Sequence, residues 1–173
     1  MTSPVRVGIV LGSDSDLETM METVKVLEAL GVGHEVVVAS AHRTPHRTEE
    51  WASSAAARGL GVLIAAAGGA AALPGVVAAF SSLPVIGVPI ASTSLGGLDA
   101  LLSIVQMPKG VPVATVAIGS WGAANAAILA AQILAVGDPA LAQRLAAYRA
   151  RLAEEVDERA RRVADKLKQR PGG

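Results

Sequence analysis

Cysteine is absent from the 173 residues, so disulfides, thiolate metal sites and a cysteine nucleophile are all excluded. Net charge is absent too. Fifteen basic residues cancel fifteen acidic ones, which argues against a nucleic-acid binder that works by neutralising phosphates. Charge of either sign is scarce, at 17% of residues against about a quarter in an ordinary soluble domain. The scarcity is local: between Gly59 and Gly137 only Asp99 and Lys109 are charged, and half of all charges follow Gly137. A nearly uncharged body thus carries a charged C-terminal segment. The hydrophobic fraction of 51% is too high for a disordered chain, and the length suits one domain with its own core.

One uncharged run, Gly110 to Gly137, has the length of a membrane span, but its content argues against one. Pro112, Gly119 and Gly122 punctuate it, Asn125 and Gln132 sit in its more helical half, and much of its apolar content is alanine. The opening MTSPVRVGIV lacks a basic region leading into an apolar stretch and a cleavage site. No membrane partner and a cytoplasmic location are therefore expected, with part of the apolar body buried against other subunits.

Short apolar runs alternate with helical spacing. Val5–Leu11, Glu35–Ala39, Val62–Ala66, Val85–Val88 and Val113–Ile118 read as strands. Asp14–Leu30, Pro45–Arg58, Ala70–Phe80, Leu98–Gln106 and Ala123–Val136 read as helices. The strands show no period-two alternation, as strands buried on both faces should not. Right-handed crossovers then give a three-layer αβα sandwich around a central parallel sheet, flavodoxin-like or Rossmann-like. This α/β domain is expected over residues 1–137. A long C-terminal helix over 138–169 starts at an acidic cap followed by proline, Asp138–Pro139, and residues 170–173 are expected to fray. Leu141, Leu145, Tyr148, Leu152, Val156, Val163 and Leu167 make one apolar stripe on that helix. It either packs on its own domain or reaches a neighbouring subunit as an arm.

In an open parallel sheet, ligands bind outside the carboxyl ends of the strands. Three loops converge there: Gly12-Ser13-Asp14-Ser15-Asp16, Ser40-Ala41-His42-Arg43-Thr44-Pro45, and Ala67-Gly68-Gly69-Ala70-Ala71-Ala72-Leu73-Pro74-Gly75. The first offers hydroxyls and amides at a helix N-terminus, an anion seat, although its two carboxylates would repel a phosphate. One of Asp14 and Asp16 is expected to cap the helix and the other to take sugar hydroxyls. In the second, Arg43 can grip a phosphate in bidentate fashion, and His42 is the one side chain on this edge whose ordinary pKa lies near neutrality. In the third, Gly68 and Gly69 let backbone approach a ligand closely, and no group titrates. A metal pair, His42 with His46, has the right spacing for a helix. Pro45 breaks that geometry, because it suits the first helical position and keeps His42 outside the helix. No G-x-G-x-x-G follows the first strand, and neither a P-loop nor a G-x-S-x-G elbow is present.

These loops resemble those of the class I PurE family, the N5-carboxyaminoimidazole ribonucleotide mutases of purine biosynthesis. The resemblance runs from about Val5 to about Leu134. It rests on GSDSD at Gly12–Asp16, SAHRTP at Ser40–Pro45, AAGGAA at Ala66–Ala71 with LPG at Leu73–Gly75, PVIGVP at Pro84–Pro89, and LLSIVQMPKGVPVATVAIG at Leu101–Gly119. It implies a cofactor-free, metal-free isomerase that moves a carboxylate from the exocyclic nitrogen to ring carbon C4 by decarboxylation and recarboxylation, in a homo-octamer. It also implies a proton shuttle at His42 and substrate contacts at Ser13, Asp16, Ser40 and Arg43, with Gly12, Gly68 and Gly69 lining the site. One departure matters. The family usually reads A-A-H-L-P-G in the third loop, and this chain carries Ala72 in place of the His. Two other activities stay open at this point: a carboxylase using free carbon dioxide, and a nucleotide-binding homologue weakened by Ala72.

Overall fold

The computed structural model describes residues 5–168; the frayed end expected at 170–173 lies outside them. Five parallel strands form one sheet in the order β2-β1-β3-β4-β5: β1 Val5–Leu11, β2 Gly33–Val38, β3 Val62–Gly68, β4 Val85–Ile90 and β5 Ala114–Thr115. Six helices cover it: α1 Leu17–Ala29, α2 Pro45–Ser54, α3 Leu73–Phe80, α4 Leu98–Val105, α5 Ser120–Ala135 and α6 Pro139–Lys168. This is the expected three-layer α/β architecture with a long C-terminal helix.

The two layers bury different material. On one face Ile9, Ile64 and Ile86 of the sheet meet Met20 and Leu27 of α1 and an alanine ridge of α5, Ala123, Ala126, Ala127 and Ala130. On the other face Val10, Leu63 and Val85 meet Trp51, Leu73, Val77 and Ile104. Small residues allow close approach at both layers. A side chain on Gly87 would collide with Ile104 of α4 on one face, and one on Gly61 would lie 2.7 Å from Leu134 of α5 on the other. As expected of central strands, β3 and β4 are buried almost throughout, whereas β2, at the edge, is half-exposed.

The structure shifts several boundaries. Residues Asp14–Asp16 form a 3-10 turn, and the α-helix begins only at Leu17. The fifth strand shrinks from the expected six residues to Ala114–Thr115. The chain still runs beside β4, since Val116 N–H donates to Gly87 O at 3.1 Å and Gly119 N–H to Pro89 O at 2.9 Å. Pro89 has no N–H to continue the ladder, so regular pairing stops.

Helix α6 divides into two parts. Leu141 and Leu145 are buried in the body and Tyr148 packs against it. Asp138 caps the helix by accepting from Leu141 N–H at 3.0 Å and pairs with Arg6 at 2.7 Å, while Arg144 Nε donates to Leu30 O at 2.7 Å. Beyond Tyr148 the stripe is bare: Leu152, Val156, Val163 and Leu167 are all exposed, the last by 60%.

Candidate active site

The chain order of the strands reverses direction between β1 and β3, so the loops after these strands diverge and leave a crevice. A cavity of about 350 Å³ opens there. Its lining draws on all three loops anticipated from sequence. Gly12, Ser13 and Asp16 come from the first, Ser40, His42 and Arg43 from the second, and Gly68 and Ala72 from the third. Gly69 is the one anticipated residue outside the lining. It holds a left-handed turn, φ 59°, with Thr93 of the next loop beside it.

The first loop is a capping box. Ser13 Oγ accepts from Ser15 N–H at 3.3 Å, and Asp16 Oδ2 accepts from Ser13 N–H at 3.2 Å. Asp16 is thus the carboxylate committed to the cap, and it is also the buried one, 4% exposed, whereas Asp14 faces solvent. Burial raises its pKa above 3.8, with the Ser13 amide and Ser15 hydroxyl pulling the other way and Asp14 adding to the rise. The same carboxylate is among the residues that line the cavity, and Asp14 is not.

The second loop is a knot. Ser40 N–H donates to Thr44 Oγ1 at 2.9 Å, Thr44 Oγ1 donates to Ser40 O at 3.2 Å, and Thr44 N–H closes on the same carbonyl at 2.8 Å. Ser40 Oγ also accepts from Arg43 N–H at 3.2 Å. Ala41, His42 and Arg43 occupy the outer bend of this ring, so the His42 and Arg43 side chains stand exposed on a tied backbone. Pro45 starts α2 as its first residue, which puts His42 ahead of the helix and separates it from His46. Among the described residues no group of three or more His, Asp or Glu is disposed to hold a metal ion.

The third loop supplies shape. Ala67, Ala71, Ala72 and Leu73 make an apolar wall, and Ala71 adopts φ 29°, a conformation unusual for a residue with a side chain. The structure adds two residues that the sequence reading did not enlist. Ser92, after β4, lines the same cavity. Arg47, in the first turn of α2, joins Arg43, Ser13 and Thr44 around an adjoining depression. No helical spacing marked Arg47, because Pro45 starts α2 and leaves Arg43 outside it. Nothing local in the sequence marked Ser92.

Residues 6–155 match the family described as AIR carboxylase. The chain belongs to that family. Curated family members similar to it include N5-carboxyaminoimidazole ribonucleotide mutases from three organisms. The Vibrio cholerae protein is 55% identical over 150 residues, covering 87% of this chain and 93% of that protein. The Thermotoga maritima protein is 54% identical over 158 residues, covering 91% of each chain. The Escherichia coli K12 protein is 54% identical over 154 residues, covering 89% of this chain and 91% of its own length. Among solved structures, Treponema denticola PurE superposes with a TM-score of 0.79 at 28% identity, covering 95% of this chain and 98% of that one. The AIR carboxylase fold and the expected α/β architecture therefore coincide.

Proposed function

We infer that the chain is an N5-carboxyaminoimidazole ribonucleotide mutase, an isomerase of purine biosynthesis. The observation that carries this reading is the identity of about 55% to proteins of that name over nearly their whole length. It favours the mutase over a carboxylase that consumes free carbon dioxide.

The site residues fit that chemistry. Arg43 offers a planar guanidinium to the substrate phosphate, with Ser13 and Ser40 as hydroxyl partners on the tied backbone. Asp16 takes ribose hydroxyls. His42 shuttles the proton. As an acid it protonates the exocyclic nitrogen as the N–C bond breaks and carbon dioxide leaves. As a base it removes the C4 proton once the ring carbon has attacked that carbon dioxide. Gly12 and Gly68 let backbone approach the ring. The alanine wall keeps water scarce and carbon dioxide close, which makes the second step effectively unimolecular. No step calls on a cofactor.

The test is turnover of N5-carboxyaminoimidazole ribonucleotide without added bicarbonate. Product formation is expected. Turnover that requires aminoimidazole ribonucleotide plus bicarbonate would reassign the chain as a carboxylase, and tight binding without turnover would make it a silent homologue.

A homo-octamer working in the cytoplasm completes the reading. Leu95, Leu98, Leu102 and Trp121 are exposed on the body, the last by 81%, and the outer stripe of α6 is bare. No helix among the described residues is long and apolar enough to cross a membrane, so these faces are read as seats for other copies. Helix α6 packs in cis up to Tyr148, and on this reading its exposed stripe beyond Tyr148 is the arm that reaches a neighbour. A chain ending at Arg149 keeps the buried leucines and is expected to fold yet assemble into smaller particles by light scattering. An unchanged mass would remove the arm from the assembly.

A further inference from the structure

Ser92 belongs to a fourth loop, between β4 and α4, and its surroundings are unusual. Four serines line the cavity. Ser13, Ser15 and Ser40 all have hydroxyls engaged with protein groups. Ser92 Oγ, among the described residues, makes no hydrogen bond; only its backbone N–H is used, donating to Ile90 O at 3.0 Å. The chain around it is nevertheless fixed. Thr93 Oγ1 donates to Asp99 Oδ2 at 2.7 Å and accepts from Leu95 N–H at 3.2 Å, tying the loop to the first turn of α4. Gly68 makes room for this placement, because a side chain there would collide with Ser92 Oγ and lie 2.9 Å from its Cβ. An unengaged hydroxyl on a pinned loop, facing a glycine, is placed for something that enters the cavity.

Its position in the strand order says what that is. Along the carboxyl edge the loops follow β2, β1, β3 and β4, so Arg43 and Ser92 come from opposite ends of the site. With the phosphate at the arginine end, the alanine wall faces the reacting end of the substrate. On that wall Ser92 carries the one side-chain hydrogen-bond donor beside Ala67, Ala71, Ala72 and Leu73. A carboxylate passing through this region needs a donor for its oxygens, and a neutral hydroxyl can hold it without trapping it as a fixed cation would.

We propose that Ser92 Oγ–H donates to an oxygen of the migrating carboxyl group and retains it as carbon dioxide between the two half-reactions. This rests on the mutase reading. When the N–C bond breaks, its electron pair goes to nitrogen, which takes the proton from His42. Carbon dioxide stays against Ser92, C4 attacks it, and the C4 proton returns to His42. Ser92 changes no bond of its own.

The experiment uses N5-carboxyaminoimidazole ribonucleotide labelled in the carboxylate, with wild type, Ser92→Ala and Ser92→Thr. Three quantities are read: kcat, KM, and label lost to unlabelled bicarbonate per turnover. Ser92→Ala is expected to lower kcat about tenfold with KM within about twofold, the size of one lost hydrogen bond. It should also raise the label lost, and Ser92→Thr should restore both. Wild-type kcat and label retention in Ser92→Ala would overturn the proposal. So would a lower kcat with label retained, which marks a merely structural role. Absence of turnover in wild type would overturn the mutase reading itself, a result distinct from either.

Discussion

The two halves of the carboxyl edge are built by opposite means. The loops after β1 and β2 hold their shape with side chains, through the Ser13–Asp16 box and the Ser40–Thr44 knot. The loop after β3 holds its shape with backbone alone, through a positive φ at Gly69 and Ala71 and a glycine where Ser92 intrudes. On the proposed reading, the first half carries charge and protons, and the second carries shape and dryness. Substitutions in the first half should change binding and proton transfer, and those in the second should change how well the reacting carbon is kept.

The sharpest break of this contrast is His42→Asn. It keeps the size and polarity of the outer bend while removing the titrating group. Turnover is expected to fall by a factor of about 10²–10⁴, the usual worth of a positioned acid–base, with ligand binding retained by calorimetry. Near-wild-type turnover would place the proton elsewhere.

Arg43→Ala should come next and should appear in KM. Losing a charge-assisted contact to phosphate costs about 2 kcal/mol, close to thirtyfold in affinity. The knot survives, because Ser40 holds the backbone N–H of residue 43 and not its side chain. An unchanged KM would move the phosphate away from the second loop, toward Arg47 and its depression.

Asp16→Asn tests the first loop in both binding and stability. One ribose hydrogen bond is worth about 1 kcal/mol, so KM should rise about fivefold. The stability effect has a definite sign. Burial raises the folded-state pKa of Asp16 above 3.8, so between that value and the raised one the folded chain binds more protons than the unfolded chain. Its contribution to stability therefore falls as pH rises through that window. Asn removes this slope. Urea melts across the acid range should show the variant losing less stability than wild type on the way to neutrality. Asp138 runs the other way. Its bond from Leu141 N–H, aided by Arg6, lowers its pKa, so its contribution is present above 3.8 and lost as pH falls through the depressed value.

How much of this was legible in the sequence follows the same division. Strands and helices were readable because apolar runs and turn residues are local signals, and the three loops fell on one edge because parallel strands share a direction. The capping box was half-legible: carboxylates near a helix start say that something is capped, but the burial of Asp16 against the fold decides which one. Helix α6 showed its stripe and could not show where the body ends under it, since Leu145 and Val156 have the same local pattern and opposite surroundings. Ser92 was illegible for a deeper reason. Its closeness to Gly68 spans two strands, and a serine among ASTSLGG carries no periodic or capping signature.

Ala72 offers the smallest effect and the most direct probe of the contrast, because Ala72→His would put a titrating group into the half that has none. Ala72 is half-buried, lines the cavity and immediately precedes α3, so an imidazole there has open space toward the site. If proton transfer belongs wholly to the second loop, the new histidine has no proton to move. Turnover should then stay within about threefold of wild type, under 1 kcal/mol of barrier. Its bell-shaped pH dependence should also keep the same limbs. A hundredfold rise would show that the third loop does carry a proton in a working site and that alanine silences this chain. A fall with a shifted pH profile would show that the wall must stay apolar to keep carbon dioxide in place. In that case Ala72→Leu, apolar but larger, should separate lost dryness from lost room, because it fills the space without adding a charge.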